Sequence, residues 1–392
     1  AKRKVKEVMI MKSFRYDTQT CIYYGRNCLK ENADKLEEFG KKAVIVTSRF
    51  VEGCRNIALE DLKEVFEGLG VEYVVLDDVM ENPPVENIVS MHEKLDGFVP
   101  DFVFGVGGGS AMDAAKALTQ YINDGPGDAY EIFFWPGKLL NNYKNMCDIP
   151  VFTIPTTAGT GSEVTGGAVL TRADKDTKES MNMWLYPEIS FVDPRYLEDA
   201  PLFLLDTGAI DALAHGVEGC LHKDANVMNR AISNAAFALF AEFKDDLLNN
   251  TLSEEQYDKM SAHSLMQGVS FMQSCTTVPH GLGYPLSQYK HVCHGLACGI
   301  FLGEYLKSFK DQSLVQPIVE ACGFKDTSDF ADYVRKLTNR DVQIEVTEEE
   351  IQKWTDMFMK QQTWRLEANP EELTREDIYQ LFRTSLAAYI KD

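Results

Sequence analysis

The sequence has little positive charge and no long hydrophobic run. Its 392 residues include 60 Asp and Glu against 39 Lys and Arg, a formal net charge of -21. A chain this acidic repels the phosphates of nucleic acids and anionic lipids unless its basic residues cluster, and the only basic run is at residues 2–6. No segment reaches the roughly 18 apolar residues of a membrane span. We therefore expect no nucleic-acid partner, no membrane span and a solvated basic terminus.

Paired cysteines are also missing. The nine cysteines are an odd number and form no Cys-x-x-Cys motif, which is typical of free thiols in a reducing compartment. The first residues lack the apolar core of a signal peptide, so we expect a cytoplasmic protein. The composition, 45% hydrophobic and 25% charged, is that of an ordinary globular chain, and its length favours two or three domains.

The first half alternates between apolar runs and segments of helical periodicity. This pattern predicts an α/β domain with a mostly parallel sheet, because right-handed crossovers join successive strands. We predict helices at residues 57–69, 85–95 and 111–122, and strands at residues 42–47, 71–76, 102–106, 151–154, 168–170 and 189–192.

The second half shows helical periods and no convincing strand alternation. We therefore predict an all-helical domain over residues 196–392, after an α/β domain over residues 1–195. Two pairs indicate helix starts: Thr347 with Glu350 three residues later, and Asn369 before Pro370.

A stretch without charge lies inside the helical half. Residues 260–289 contain no Asp, Glu, Lys or Arg, whereas the average composition predicts about seven. Such a stretch is expected to be buried, and its prolines and glycines predict breaks in its helices. The stretch and the residues that follow it hold four of the seven histidines: His263, His280, His291 and His294. Several histidines in one buried segment favour a metal or catalytic site over a core role.

A carboxylate and an imidazole are placed one helical turn apart at Asp211 and His215, so that both can face one cation. His280 and His294 are predicted to complete the ligand set, and His263 and His291 are the alternatives. Three imidazoles and one carboxylate suit Fe²⁺, Zn²⁺ or Ni²⁺ better than Mg²⁺ or Ca²⁺.

A glycine cluster follows the strand at residues 102–106. Glycines ahead of a helix allow a phosphate to approach backbone amides and the helix dipole, so Gly107, Gly108 and Gly109 predict a phosphate cradle. Ser110 is a plausible N-cap, and Asp113 completes a pair like a capping box. A second small and hydroxyl-rich turn, residues 155–162, is predicted either to contact a cofactor or to be an ordinary loop.

Four motifs in this order resemble the iron-containing, or group III, alcohol dehydrogenases. They are Gly-Gly-Gly-Ser at residues 107–110, Pro-Thr-Thr-Ala-Gly-Thr-Gly-Ser at residues 155–162, Asp-x-x-x-His at residues 211–215, and His280 with His294-Gly295. The resemblance implies that Asp211, His215, His280 and His294 bind one Fe²⁺ or Zn²⁺. It also implies a homodimer and a dinucleotide held by Gly108, Gly109, Ser110, Asn82, Thr156, Thr157, Thr160, Thr165 and Lys178.

Two positions depart from the pattern of that family. Tyr284 stands four residues after His280, where the resemblance implies a second histidine, so we assign the proton relay to Tyr284 beside the ligand His280. Ser48, followed by Arg49, stands where the family often has an Asp that binds the adenosine ribose of NAD. Loss of that negative charge and a nearby cation predict NADP(H) in preference to NAD(H).

The hypothesis is therefore a reversible alcohol dehydrogenase or aldehyde reductase. A metal would act as a Lewis acid on the oxygen of a small primary alcohol or aldehyde, and hydride would pass to or from nicotinamide. A polyol dehydrogenase of the glycerol type or a dehydroquinate-synthase-like lyase is the alternative on the same architecture. A metal-dependent hydrolase and a non-catalytic binding module are the two other classes considered.

Overall fold

The computed structural model describes residues 13–49, 55–135, 147–175 and 177–391, so the basic run at residues 2–6 lies outside the described residues. Its strands are β1 (Cys21–Tyr24), β2 (Lys42–Thr47), β3 (Glu72–Leu76), β4 (Phe102–Gly107), β5 (Val151–Pro155), β6 (Val169–Arg172), β7 (Thr177–Ser180) and β8 (Ile189–Val192). Its helices up to residue 134 are α1 (Cys28–Glu31), a 3-10 helix (Ala33–Phe39), α2 (Ile57–Leu69), α3 (Val85–Glu93), α4 (Gly109–Asp124) and α5 (Ala129–Phe134).

Beyond a short 3-10 helix (Pro194–Leu197), the described residues are helical. The helices are α6 (Leu202–Leu221), α7 (Val227–Asn249), α8 (Glu254–Phe271), α9 (Val278–Tyr289), α10 (His294–Ser308), α11 (Gln316–Ala321), α12 (Thr327–Asp341), α13 (Glu348–Gln361), α14 (Thr363–Ala368) and α15 (Arg375–Ser385). The only strand-like pairing described in this part is an isolated bridge between Val346 and Ile390.

Six strands form one sheet in the order β1-β8-β5-β4-β2-β3, and every pairing within it is parallel. The predicted fold class is thus confirmed. From β2 the chain adds β3 on one side and then β4 on the other, so the strand order reverses between β2 and β4. The carboxyl ends of strands at such a switch point form the crevice where α/β sheets bind ligands.

Both faces of the sheet are covered, and its central strands are apolar over most of their length. Ala43 and Ile45 face α2, whereas Val44 and Val46 face α3 and α4. Alternate side chains of a strand point to opposite faces, so a fully apolar run is what a doubly covered strand requires. The predicted strand at residues 168–170 is β6, which pairs antiparallel with β7 outside the main sheet. Neither β1 nor β7 was predicted.

Two predictions about helix starts have different outcomes. Thr347 and Glu350 form a capping box at the start of α13, as predicted. The predicted start at Asn369 is wrong, because Asn369 is the residue that ends α14 and its side chain accepts a hydrogen bond from Tyr305, 2.6 Å. The last helix begins instead at Arg375, where Thr374 and Asp377 form the capping box.

The uncharged stretch is mostly buried and its helices are broken between α8 and α9, as predicted, but the prolines and glycines beside His280 do not cause the break. Helix α9 runs without interruption through His280. Pro279 lies in its first turn, where an amide has no helical partner to lose. Gly281 and Gly283 serve close packing, because a Cβ there would lie 2.6 Å from Phe358 and 3.0 Å from the backbone of Ala297.

Candidate active site

The glycine turn joins the carboxyl end of β4 to the start of α4. Gly107 has φ 145, a conformation that glycine adopts more readily than other residues, and Gly108 precedes the first residue of the helix. The prediction of a Ser110 cap with Asp113 is wrong, since no side chain caps α4. Ser110 Oγ instead accepts from the Asn82 amide at 3.1 Å. Asp113 accepts from Ser162 Oγ at 2.6 Å.

The second predicted turn lies against the first. Gly107 and Pro155 are paired at the ends of β4 and β5, and Thr156 donates its amide to the Gly107 carbonyl at 3.0 Å. A Cβ on Gly109 would meet Thr160 at 2.8 Å. In the described part of the chain, the buried Thr157 hydroxyl has no hydrogen-bond partner. Backbone and hydroxyl groups from two loops thus meet at the switch-point edge of the sheet.

Asn82 links two other predicted cofactor positions, Ser110 and Lys178. Its side-chain oxygen accepts from Lys178 Nζ at 2.9 Å, its amide reaches Ser110, and its carbonyl accepts from Thr171 at 2.6 Å. Lys178 comes from β7, and burial lowers the pKa of its amine. The β6–β7 ribbon therefore brings a cation to the rim of the glycine turn.

Lys116, which the sequence analysis did not single out, holds the loop that contains Thr165. It is fully buried and donates to the carbonyls of Thr165 at 2.8 Å and Gly167 at 3.0 Å. It also donates to the carbonyl and hydroxyl of Ser162, both at 2.8 Å. Burial lowers the pKa of the Lys116 amine to about 8. The sequence feature that could have indicated this role is a lysine on the Ala-rich helix α4, three residues after Asp113.

Ser48 follows the last residue of β2, at the same edge of the sheet as Gly107. Val46 and Thr47 pair with Gly105 and Val106 of β4, so Ser48 lies across the switch point from the glycine turn. Arg49, the next residue, is exposed and lines a shallow depression of about 590 Å³ with residues that follow β3 and residues of α3.

The four predicted metal ligands converge. Asp211 Oδ1 lies 4.0 Å from His215 Nε2, 3.6 Å from His280 Nε2 and 4.0 Å from His294 Nε2. Asp211 and His215 are on α6, His280 is on α9, and His294 is the first residue of α10. Asp211, His215 and His280 are buried. Three helices thus present three ring nitrogens to one carboxylate oxygen.

Hydrogen bonds on the far side of two rings direct them towards Asp211. His280 Nδ1 donates to Glu218 Oε1 at 2.5 Å, and His215 Nδ1 donates to the Gly159 carbonyl at 3.2 Å. With Nδ1 occupied, each ring turns Nε2 towards Asp211. Carboxylate and carbonyl partners of this kind orient histidine ligands in metal sites. Glu218 was missed by the sequence analysis, although it lies on the helix face of Asp211 and His215, seven and three residues on.

The site has the properties of a cation site. Asp211 Oδ1 and His280 Nε2 are buried and lack a hydrogen-bond partner among the described residues, and unpartnered buried polar atoms are costly. Burial disfavours the charged form of His280, but Glu218 and Asp211 outweigh it and raise its pKa to about 9. A divalent cation would take the place of that proton, and an oxygen with three imidazoles suits Fe²⁺ or Zn²⁺.

The two alternative histidines are not part of this cluster. His263 is buried between Phe240 and Phe243, its Nδ1 pairs with the Ala236 carbonyl at 2.8 Å, and burial lowers its pKa to about 4. It is a core histidine. His291 is exposed in the turn between α9 and α10.

Tyr284 lies one turn after His280 on α9, and its ring centroid is 6.2 Å from that of His294. Its hydroxyl accepts a hydrogen bond from Arg365 at 2.8 Å, and burial raises its pKa. Arg365, from α14, is also buried and donates to the Thr277 carbonyl at 3.0 Å. The sequence analysis gave no role to Arg365.

The loop at residues 155–162 also packs on the helices that carry the histidines. A Cβ on Gly159 would lie 2.8 Å from Gly208 of α6, and a Cβ on Gly161 would lie 2.6 Å from Gly268 of α8. The loop therefore contacts the glycine turn on one side and α6 on the other.

A parallel sheet with a glycine turn at its switch point, together with a buried carboxylate and three histidines, is the arrangement of a nucleotide- and metal-binding enzyme. Models of two families match the chain: iron-containing alcohol dehydrogenase over residues 19–194, and the C-terminal part of the Fe-containing alcohol dehydrogenase family over residues 206–386. The chain belongs to the iron-containing alcohol dehydrogenase family. The predicted class, a metal-dependent alcohol dehydrogenase or aldehyde reductase, is confirmed.

Relatives of known name agree with this assignment. Lactaldehyde reductase of Escherichia coli K12 is 24% identical over 383 residues, which cover 93% of this chain and 97% of that protein. The 1-propanol dehydrogenase of Citrobacter freundii is 27% identical over 294 residues, with 74% and 72% covered.

Solved structures show the same architecture. An iron-containing alcohol dehydrogenase from Thermotoga maritima superposes with a TM-score of 0.84 at 28% identity, with 96% of this chain and 100% of that chain covered. Sulfoacetaldehyde reductase from Bifidobacterium kashiwanohense, solved in complex with NAD+, gives a TM-score of 0.82 at 25% identity, with 95% and 98% covered. None of the helices described here is long and apolar enough to cross a membrane.

Proposed function

We propose that the chain interconverts a small primary alcohol and its aldehyde, with the metal centre at Asp211, His215, His280 and His294. The observation that carries this proposal is the convergence of three ring nitrogens on Asp211 Oδ1, beside a loop that also contacts the glycine turn. A divalent cation held by these residues would polarise the substrate oxygen as a Lewis acid. A nicotinamide dinucleotide would supply or accept the hydride.

The residues around the glycine turn would hold the dinucleotide. We assign its phosphates to Gly107, Gly108, Gly109 and Ser110, because the amino end of α4 attracts anions. Asn82 and Lys178 would also contact the cofactor, because Asn82 binds Ser110 of the glycine turn and Lys178 of β7 binds Asn82. Further contacts with the dinucleotide are assigned to Thr156, Thr157, Thr160 and Thr165. Asp113 would support this loop by accepting a hydrogen bond from Ser162.

Tyr284 would carry the proton at its hydroxyl. Arg365 donates to the tyrosine oxygen, so the hydrogen of that hydroxyl remains available to be donated. Burial raises the pKa of Tyr284, which keeps the hydroxyl protonated at neutral pH. The contact of its ring with that of His294 supports a role beside the proposed metal site.

The cofactor preference is proposed to be NADP(H). Ser48 adds no negative charge at the end of β2, and Arg49 lines the adjacent depression, where a 2′-phosphate would find a cationic partner. Arg49→Ala is expected to raise KM for NADPH about tenfold or more, since a charged hydrogen bond contributes about 1.5–3 kcal/mol, and to leave KM for NADH nearly unchanged. Steady-state kinetics with both cofactors measure this. A lower wild-type KM for NADH than for NADPH would contradict the preference.

The whole proposal is tested by assaying the purified chain with both cofactors over a panel of small alcohols and aldehydes, including lactaldehyde, 1-propanol and sulfoacetaldehyde, with metal analysis of the same sample. The expected result is cofactor-linked turnover that requires a bound Fe²⁺ or Zn²⁺. Turnover by metal-free protein, or elimination products without any change in cofactor absorbance, would overturn it.

Three further predictions belong to the proposal. They are a domain boundary near residue 195, a homodimeric assembly and a cytoplasmic location. Size-exclusion chromatography with light scattering tests the assembly, and limited proteolysis tests the boundary.

A further inference from the structure

A buried thiol lies within the group of metal-binding atoms. One donor atom each from Asp211, His280, His294 and Cys298 lies within 4.8 Å of every other. Bonds from zinc to nitrogen, oxygen and sulfur are roughly 2.0–2.3 Å long, so two donors of one ion are at most about 4.5 Å apart. The spacing of Cys298 is therefore close to that of a ligand, although the sequence analysis treated this residue as a core thiol.

Helix α10 presents Cys298 and His294 together. The two residues are four apart on one helix face, and Cys298 Sγ lies 3.9 Å from both ring nitrogens of His294. Asp211 and His215 have the same spacing on α6. Helices α6 and α10 pack closely, since a Cβ on Gly299 of α10 would lie 2.3 Å from Ile210. Helix α10 thus directs two donors, His294 and Cys298, to the point where α6 directs Asp211.

Cys298 lies in the apolar core of the helical half and also joins a group of polar donor atoms. That group includes Asp211 and His280, whose Oδ1 and Nε2 are buried and without a hydrogen-bond partner in the described part of the chain. Cys322 is equally buried and belongs to the same apolar core. Of these two thiols, only Cys298 belongs to the donor group found among the described residues.

We propose that Cys298 is a ligand of the metal centre and makes the site favour thiophilic divalent ions such as Zn²⁺, Co²⁺ and Cd²⁺ over Mn²⁺ and Mg²⁺. The sulfur–metal bond forms as the S–H bond breaks, and the proton passes to solvent. This inference rests on the proposed function, because the ion is the one assigned to Asp211 and the histidines.

The test is a titration of the metal-free full chain with Co²⁺ and Cd²⁺, followed by absorption spectroscopy. A thiolate ligand gives a sulfur-to-metal charge-transfer band, which oxygen and imidazole ligands do not give. We expect this band in the wild type and in the control variant Cys322→Ser, and not in Cys298→Ser or Cys298→Ala. The Kd of Cys298→Ser for Cd²⁺ should rise at least about tenfold, a loss that even an indirect ligand partner causes, with a smaller change for Mn²⁺.

The outcomes separate this inference from the proposed function. Tight Co²⁺ binding and turnover by a wild-type protein without the band would overturn the inference alone. Absence of any Co²⁺ binding would overturn both. The wild-type spectrum decides even if a Cys298 variant does not fold, which circular dichroism would reveal.

Discussion

At the scale of the residue, the chemistry of the site depends on which atom of each ring faces Asp211. Glu218 and the Gly159 carbonyl take the Nδ1 hydrogens of His280 and His215, so Nε2 of each ring is directed inwards. Glu218 also accepts the Thr277 amide at 2.6 Å, at the start of the helix that carries His280. One carboxylate therefore fixes both the ring and the helix beneath it.

Replacement of His280 by Ala is expected to remove bound metal and activity together, because it deletes one of three imidazoles and leaves Asp211 with fewer partners. His291→Asn is the control, since His291 lies outside the cluster and Asn tolerates its positive φ of 55. Metal analysis after gel filtration and a cofactor-linked assay measure both. Retention of stoichiometric metal by His280→Ala would refute the ligand assignment.

Glu218→Gln is expected to weaken metal binding by about 10–100-fold, the usual effect of losing a hydrogen-bond partner of a ligand. The two carboxylate oxygens of Glu218 accept from three donors, His280 Nδ1 and the amide and hydroxyl of Thr277; the amide of Gln has one oxygen, so a buried donor loses its partner. The control is Glu163→Gln, because Glu163 is also buried but is not among the hydrogen-bond partners described for the histidines, and burial raises its pKa to about 7. Competition with a chelator gives both Kd values. Equal Kd values for Glu218→Gln and Glu163→Gln would show that Glu218 does not position His280.

At the scale of the element, close helix packing sets the distances between ligands. Gly295 of α10 faces α6, and a Cβ there would lie 2.0 Å from the Thr207 carbonyl oxygen and 2.8 Å from Asp211 Cβ. Because His294 is the neighbouring residue, the separation of α6 and α10 also fixes the distance from His294 to Asp211. Gly295 is therefore required by the close packing of α6 and α10. It is not required by the backbone conformation of a turn.

Gly295→Ala is therefore expected to push α10 away from α6, to weaken metal binding and to cost about 1–3 kcal/mol of stability, as overpacking does. Gly68→Ala on α2 is the matched control, because a Cβ there meets nothing within 4 Å. That change should stabilise by up to about 1 kcal/mol through helix propensity. Thermal unfolding and metal titration of both variants measure the effects. A Gly295→Ala protein with wild-type metal affinity would contradict the role of this contact.

At the scale of the whole molecule, one loop connects the two halves. Residues 155–162 leave the sheet beside the glycine turn, and Gly159 approaches Gly208 of α6 while its carbonyl orients His215. The ligands themselves come from α6 and from the consecutive helices α9 and α10, which lie far from α6 in the sequence. A cation bound there would therefore link three helices of the same half.

Metal is expected to stabilise the folded chain for this reason. At a free concentration of 100 times Kd, a ligand that binds only the folded state adds about 2.7 kcal/mol. Calorimetric scans with Zn²⁺ and after chelation should show a higher Tm with metal, and His280→Ala should lose most of that difference. An equal Tm shift in the variant would place the stabilising ion elsewhere.

Much of this arrangement was predictable from local pattern. Fully apolar strands alternating with helices require a covered parallel sheet, and the i, i+4 pair Asp211 and His215 with two histidines in an uncharged stretch indicates a metal. Predictions were wrong where the same residue pattern is compatible with two different local structures. Pro279, Gly281 and Gly283 indicate breaks, yet they allow close packing of a continuous helix, and Ser110 and Asp113 resemble a cap but bind other loops.

The amino-acid sequence by itself determined the kinds of element, the donor types and the family, because periodicity and motif spacing are local properties of the chain. Only the tertiary structure decided which histidines share one point, that Glu218 and Arg365 support them, and that Cys298 adjoins the metal donors. Those relations depend on the packing of α6, α9, α10 and α14. The approach of residues far apart in sequence is set by side-chain volumes and glycine contacts across the whole helical half, which no local pattern records.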